Sequence, residues 1–153
     1  MMKALVGTAQ EMDYVSAVIR EIDGTSKDEL MLGTARLSND CRTHYPYEIK
    51  TAVPKWSGGQ AGEEELLSSC YWNSLLVAKE NHIRTIAFPL LGVGDGHFPV
   101  QDAAHIAVTT VKNYMQDHPN NLDAVIFFCE SEKTVLFLQL ELSKWVVREE
   151  KAD

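Results

Sequence analysis

Apolar positions follow two periods along this chain. Strand-like runs fall at Ala4-Leu5-Val6, at 47–53 (Tyr47 to Val53), at 85–91 (Thr85 to Leu91) and at 122–129 (Leu122 to Cys129), with a weaker one at 30–37. The cores of the third and fourth, 86–91 and 124–129, are almost continuously apolar, as parallel strands covered on both faces are. Between these runs the spacing becomes helical. In 62–80, Leu66, Leu67, Cys70, Tyr71, Leu75 and Ala78 recur on one face behind an acidic first turn, Glu63-Glu64-Glu65, where the helix dipole favours negative charge. The segment 99–116 repeats the pattern with Ala103, Ile106, Ala107, Thr110, Val111 and Tyr114 behind Pro99, and 132–147 does so with Val135, Leu138, Leu142, Trp145 and Val146. A shorter stripe, Val15, Val18, Ile19 and Ile22, predicts a helix over 12–22. Strands alternating with helices imply an α/β domain with right-handed crossovers and a helix–sheet–helix arrangement. The large side chains on these faces, such as Tyr71, Tyr114 and Met115, read as core.

Composition narrows the class without changing it. The chain has 153 residues, 45% hydrophobic and 24% charged, the size and balance of one globular domain. That domain is expected over 1–147, followed by a polar tail at 148–153. No apolar run approaches the roughly 18 residues of a membrane span, and the N-terminus lacks the apolar length of a signal peptide, so cytoplasmic residence is the default expectation. A formal charge of −8 argues against nucleic-acid and anionic-membrane partners, which require a basic surface. Cys41, Cys70 and Cys129 are widely spaced. They form no Cys-x-x-Cys pair, so neither a disulfide framework, nor a metal site, nor a cofactor is expected. Cys70 and Cys129 read as small buried hydrophobes.

The chemistry points to one loop. Between the strand ending near Leu91 and the helix beginning near Pro99 lie Gly92, Gly94 and Gly96. Glycines leave no Cβ between backbone and ligand. Successive amides can then form an anion nest, with the following helix directing its positive end to the same place. Spacing alone serves equally well for a turn that merely reverses the chain. His97 could donate to a ligand or face solvent.

Wider agreement around this loop carries a resemblance. The stretch Glu63 to Asn81, then Ile86-Ala87-Phe88-Pro89, Gly92-x-Gly94-x-x-x-Phe98-Pro99, Ala103-Ala104 and Val125 to Cys129, resembles macro domains in the family's order. Upstream, Pro46 to Pro54 is similar to a further strand of the family. The resemblance implies a three-layer helix–sheet–helix fold with a mixed, mostly parallel sheet, and a cleft for ADP-ribose. It implies contacts from the loop Gly92, Val93, Gly94, Asp95, Gly96, His97 and Phe98, in which the match is good at Gly92, Gly94 and Phe98 and poorer at the others. Asp95 places a carboxylate where a diphosphate would lie, which costs energy unless it faces away.

Other parts of the family pattern are reduced. Lys3 to Gln10 resembles the family's second, central strand, so the usual first edge strand is expected to be missing, and with it an aspartate that meets adenine. Family asparagines then fall on Gly7 and Gln10, and Ala9 and Gln10 join the candidate ligand contacts. Only Glu11-Met12-Asp13-Tyr14 stands where a second glycine-rich loop would be, and Glu130 takes the place of an adenine-stacking aromatic. The leading expectation is a divergent macro domain that binds ADP-ribose or a related nucleotide diphosphate. ADP-ribosyl or O-acetyl-ADP-ribose hydrolysis is the enzymatic alternative, disfavoured because residues associated with it are altered. A third is an interaction module without ligand, pairing as a homodimer through a bare sheet edge near Phe127 and Phe128.

Overall fold

The computed structural model describes residues 3–7, 12, 14–24, 30–38, 43–129 and 131–152, with side chains to Trp145. Among them are six strands: β1 (Lys3–Val6), β2 (Ala17–Asp23), β3 (Ala35–Leu37), β4 (Tyr47–Val53), β5 (Thr85–Pro89) and β6 (Ala124–Phe128). Three helices accompany them, α1 (Glu63–Glu80), α2 (Val100–Asp117) and α3 (Glu132–Ala152). The strands make one sheet in the order β1-β6-β5-β2-β4-β3, parallel throughout except for β3 against β4. The α/β class and the mixed, mostly parallel sheet are as expected.

Helix patterns translate directly into burial. Leu67, Cys70, Tyr71, Leu75 and Ala78 of α1 and Ala103, Ala107, Thr110, Val111 and Tyr114 of α2 are all buried. They meet one face of the sheet, built by Ala17, Ile19, Ile49, Val53, Ile86, Phe88, Val125 and Phe127. Leu138 of α3 joins the same cluster, as do the half-buried Ala4 and Val6 of β1. All three helices therefore share a face. The opposite face carries a smaller cluster, Val15, Ala87 and Ile126, with Leu5, Met12, Tyr45 and Phe128 against it.

One expected helix is corrected to a strand. The segment read as a helix over 12–22 contains β2, in the middle of the sheet. Val15, Val18, Ile19 and Ile22 fit a helical stripe, but their β-branched side chains suit a strand as well. Pairing decides: β2 runs in parallel register with all of β4, from Ala17↔Tyr47 to Asp23↔Val53. With the centre so filled, Lys3–Val6 is not the central strand that its sequence resembled. It lies at the edge, paired with β6 from Lys3↔Ala124 to Val6↔Phe127. An edge strand is thus present, and the bare edge expected near Phe127 and Phe128 is covered. Gly7 continues this contact, its N–H donating to the Phe127 carbonyl at 2.9 Å.

Two features of this topology open a crevice. The crossover from β4 through α1 to β5 passes over β2, so the chain reverses its direction of travel across the sheet at the β2–β5 boundary. There, among the described residues, β2 and β5 pair only through Ala17↔Ile86 and Val18↔Ala87. Open α/β sheets bind ligands at such a switch point, beyond the carboxyl ends of the strands.

Candidate functional site at the carboxyl ends of the parallel strands

The glycine-rich loop occupies that boundary. Its conformation depends on Gly92, at φ 92°, where a Cβ would stand 2.8 Å from the Phe98 ring. Gly96 is needed for a different reason: a Cβ there would meet the Gly92 carbonyl oxygen at 2.7 Å and that of Pro54 at 3.1 Å. Phe98 N–H donates to the Gly92 carbonyl (2.9 Å) and His97 N–H to that of Gly94 (3.1 Å), which closes the loop on itself. His97 accepts a left-handed φ of 58° to make the turn and is exposed.

A second loop braces the first. Trp56 N–H donates to the Gly96 carbonyl (2.7 Å), and the Trp56 ring packs on Phe98 with centroids 5.2 Å apart. This bracing segment, 54–62, is organised by the buried carboxylate of Glu63 at the start of α1. Glu63 accepts from Ser57 N–H and Oγ–H, from Gly59 N–H and from Ala61 N–H, at 2.6–3.2 Å. The Ser57 hydroxyl, followed by backbone amides, holds its carboxyl down to about 2. From below, Tyr71 Oη accepts the Leu91 N–H at 2.9 Å. Burial raises the Tyr71 phenol well above its ordinary range, so it remains a neutral support.

The loop's amides divide into two sets. Those of His97 and Phe98 are used within the loop, and that of Gly92 donates to Glu21 Oε1 of β2 at 2.7 Å. Among the described residues, the amides of Val93, Gly94, Asp95 and Gly96 have no acceptor. Consecutive backbone donors left open in this way are what an anion nest requires. The α2 N-terminus stands just behind, with Pro99 ahead of Val100 and no side-chain cap, and its dipole adds to the attraction for negative charge.

Two cavities flank the loop. One, of about 350 Å³, is lined by Glu21, Asp23, Val53, Lys55, Asp95 and His97 among others. The other, of about 480 Å³, has walls of Leu90, Val93, Val100 and Phe128, and polar groups from Ser131 and Thr134 at the start of α3. Glu21 lines both. Burial raises its carboxyl above the ordinary value, the Gly92 amide opposes this, and nearby Asp95 adds to the rise. The first cavity is polar with acidic walls and the second is largely apolar.

The expected loop residues Gly92 to Phe98 are thus together, with Gly92 and Gly96 serving the loop's shape and Phe98 its packing. Ala9 and Gln10, also expected as contacts, lie outside the described residues, as does Glu130. Gly7 sits by β6 at the edge, so the family asparagines do not map onto it. The carboxyl end of the central strand supplies Glu21 and Asp23 instead, which the helical reading of 12–22 missed. The available signal was the concentration of Val and Ile over 15–22, too short for a mean helix and rich in strand formers. No group of three or more His, Cys, Asp or Glu side chains with metal-holding geometry occurs among the described residues, and no helix there is long and apolar enough to cross a membrane.

Comparison with known proteins agrees with this geometry. A sequence model of the macro domain matches residues 7–107. A macro domain-containing protein of Chlorobaculum tepidum is 42% identical over 113 residues, 74% of this chain and 65% of that protein. The O-acetyl-ADP-ribose deacetylase of Klebsiella pneumoniae is 37% identical over 97 residues, 63% of this chain and 55% of that protein. The chain therefore spans less than two thirds of the length of these curated relatives. Among solved structures, a mutant Oceanobacillus iheyensis macrodomain superposes with a TM-score of 0.81 at 20% identity, covering 95% of this chain and 92% of that one. A Trypanosoma brucei macrodomain in complex with ADP-ribose superposes with a TM-score of 0.70 at 19% identity, over 82% of this chain and 62% of that one.

Proposed function

The chain belongs to the macro domain family, and from that premise we propose that it binds ADP-ribose or a related nucleotide diphosphate at the loop Gly92–Phe98. The observation that carries this reading is the run of open amides at Gly94, Asp95 and Gly96, between two cavities and ahead of the α2 N-terminus. A diphosphate is a compact anion that such donors can hold without a positively charged side chain. The apolar cavity with Phe128 offers a surface for a nucleobase and the polar cavity one for a sugar, with the phosphates between. A structural relative bound to ADP-ribose supports the choice of ligand.

The Klebsiella pneumoniae relative's name, O-acetyl-ADP-ribose deacetylase, keeps one second reading in view, hydrolysis of an ADP-ribose ester. Calorimetric titration with ADP-ribose, beside ADP and ribose 5-phosphate, tests binding. Incubation with O-acetyl-ADP-ribose and chromatography of the products tests turnover. We expect saturable heat with one ligand per chain and no product. Absence of heat at millimolar ADP-ribose would remove the binding reading, and enzyme-dependent product would replace it with the hydrolase.

A further inference from the structure

We propose that α3 is a self-association surface, through which two copies of this chain pair antiparallel about a two-fold axis. The contact is the exposed row Glu132, Leu136, Leu140 and Lys144, and not the sheet edge, where β1 already covers β6.

Scattered exposed leucines need no explanation, so what matters is their arrangement. Among the described residues, Tyr14, Met31, Leu32 and Tyr47 are exposed in turns or at a strand end. Leu136 and Leu140 differ, being 61% and 59% exposed about one turn apart on a continuous helix. Docking of α3 on the core does not use them. The helix meets the core through Leu138, with Phe137, Leu142 and Trp145 half-buried against it. Steps of four residues bring successive side chains onto one face of a helix. The same row reaches Glu132 at one end and Lys144 at the other, both exposed. Beside Leu136 lies a groove of about 420 Å³, walled by Cys129, Ser131, Glu132 and Val135.

From its N-terminal end the row runs acid, leucine, leucine, base, and turned end for end it is its own complement. Two antiparallel copies of α3, level at Leu138, set Leu136 of each against Leu140 of the other. The same register sets Glu132 of each against Lys144 of the other. A two-fold contact requires self-complementarity of this kind. A parallel pairing would instead oppose Glu132 to Glu132 and Lys144 to Lys144. The groove gives Leu140 of the second copy a seat beside Leu136. Lys144 already donates to Glu141 at 2.8 Å, but an ammonium has further donors and can take Glu132 of the second copy as well. From Glu132 to Lys144 the row is about 18 Å long. A contact of that length stays below the about 800 Å² per partner of a standard interface, so the dimer is weak, with a dissociation constant on the order of 100 μM.

Sedimentation equilibrium of the full chain from about 10 μM to about 1 mM tests this, with thermal melts to establish that each variant is folded. Wild type is expected to pass from monomer toward dimer over that range. Leu136→Ser with Leu140→Ser, at exposed positions, should weaken association by about tenfold or more. Glu132→Lys and Lys144→Glu, each alone, set like charges at both ends of the contact and should weaken it several-fold. Their equimolar mixture should associate as wild type does, because a mixed pair has opposite charges at both ends. A wild type that stays monomeric at the top of the range overturns the proposal and leaves the row to a different partner. So does a double-leucine variant that associates as wild type does, or a mixture no more associated than its components. Should a charge variant not fold, the double-leucine variant alone decides.

Discussion

At Gly92 a left-handed φ of 92° and a Phe98 ring 2.8 Å from the site of a Cβ both act against any side chain. Gly92→Ala should lower stability by about 1–3 kcal/mol in denaturant unfolding, the scale of a strained backbone residue. Gly94 differs, since an added Cβ meets nothing within 4 Å. Gly94→Leu should leave stability within about 0.5 kcal/mol, as an exposed substitution does, yet abolish ADP-ribose heat by filling the space in front of the open amides. Binding that survived Gly94→Leu would locate the ligand elsewhere. Glu63 gives a pH signature. Its folded carboxyl is held at about 2 against an ordinary 4.5, so its contribution is complete above pH 4.5 and lost as pH falls toward 2. Wild type should lose stability over that range more steeply than Glu63→Gln in denaturant titrations at stepped pH.

Among the elements, β2 carries most of the new information. Ile19 is 2% exposed in its middle, within the core shared by the sheet and helices. Ile19→Ala should cost about 2–5 kcal/mol, as deletion of a packed core side chain does; a loss below about 1 kcal/mol would contradict the central placement. The helices were legible because each has a long, single apolar stripe: α1 and α2 lie within a residue of their predicted bounds. β4, β5 and β6 were legible as apolar runs. β2 was not, because Val15, Val18, Ile19 and Ile22 satisfy a helical spacing over one short window, and only the pairing of Ala17–Asp23 with Tyr47–Val53 discriminates. That non-local contact also moved β1 from the centre to the edge and replaced Gly7 with Glu21 and Asp23 at the crevice. The glycine loop itself was readable in sequence. The engagement of the Gly92 amide by Glu21 was not, since it joins residues 71 positions apart.

For the whole molecule, the formal charge of −8 means that an anionic ligand would approach against the long-range field, and on the proposed reading short-range amides would hold it. Raising ionic strength from about 10 mM to about 150 mM shortens the screening length from roughly 30 Å to roughly 8 Å. ADP-ribose affinity should therefore stay constant or rise with salt, in contrast to the steep fall of a ligand held by surface lysines and arginines. A tenfold loss of affinity over that range in calorimetry would mean that cationic side chains do the holding. On the proposed reading the amides of Gly94, Asp95 and Gly96 are donors to the ligand's phosphates. Amide NMR of the ¹⁵N-labelled chain titrated with ADP-ribose tests it most directly. These three cross-peaks are expected to show the largest saturable shifts, downfield as new hydrogen bonds form. Saturation of binding with all three unmoved, while amides elsewhere shift, would contradict it.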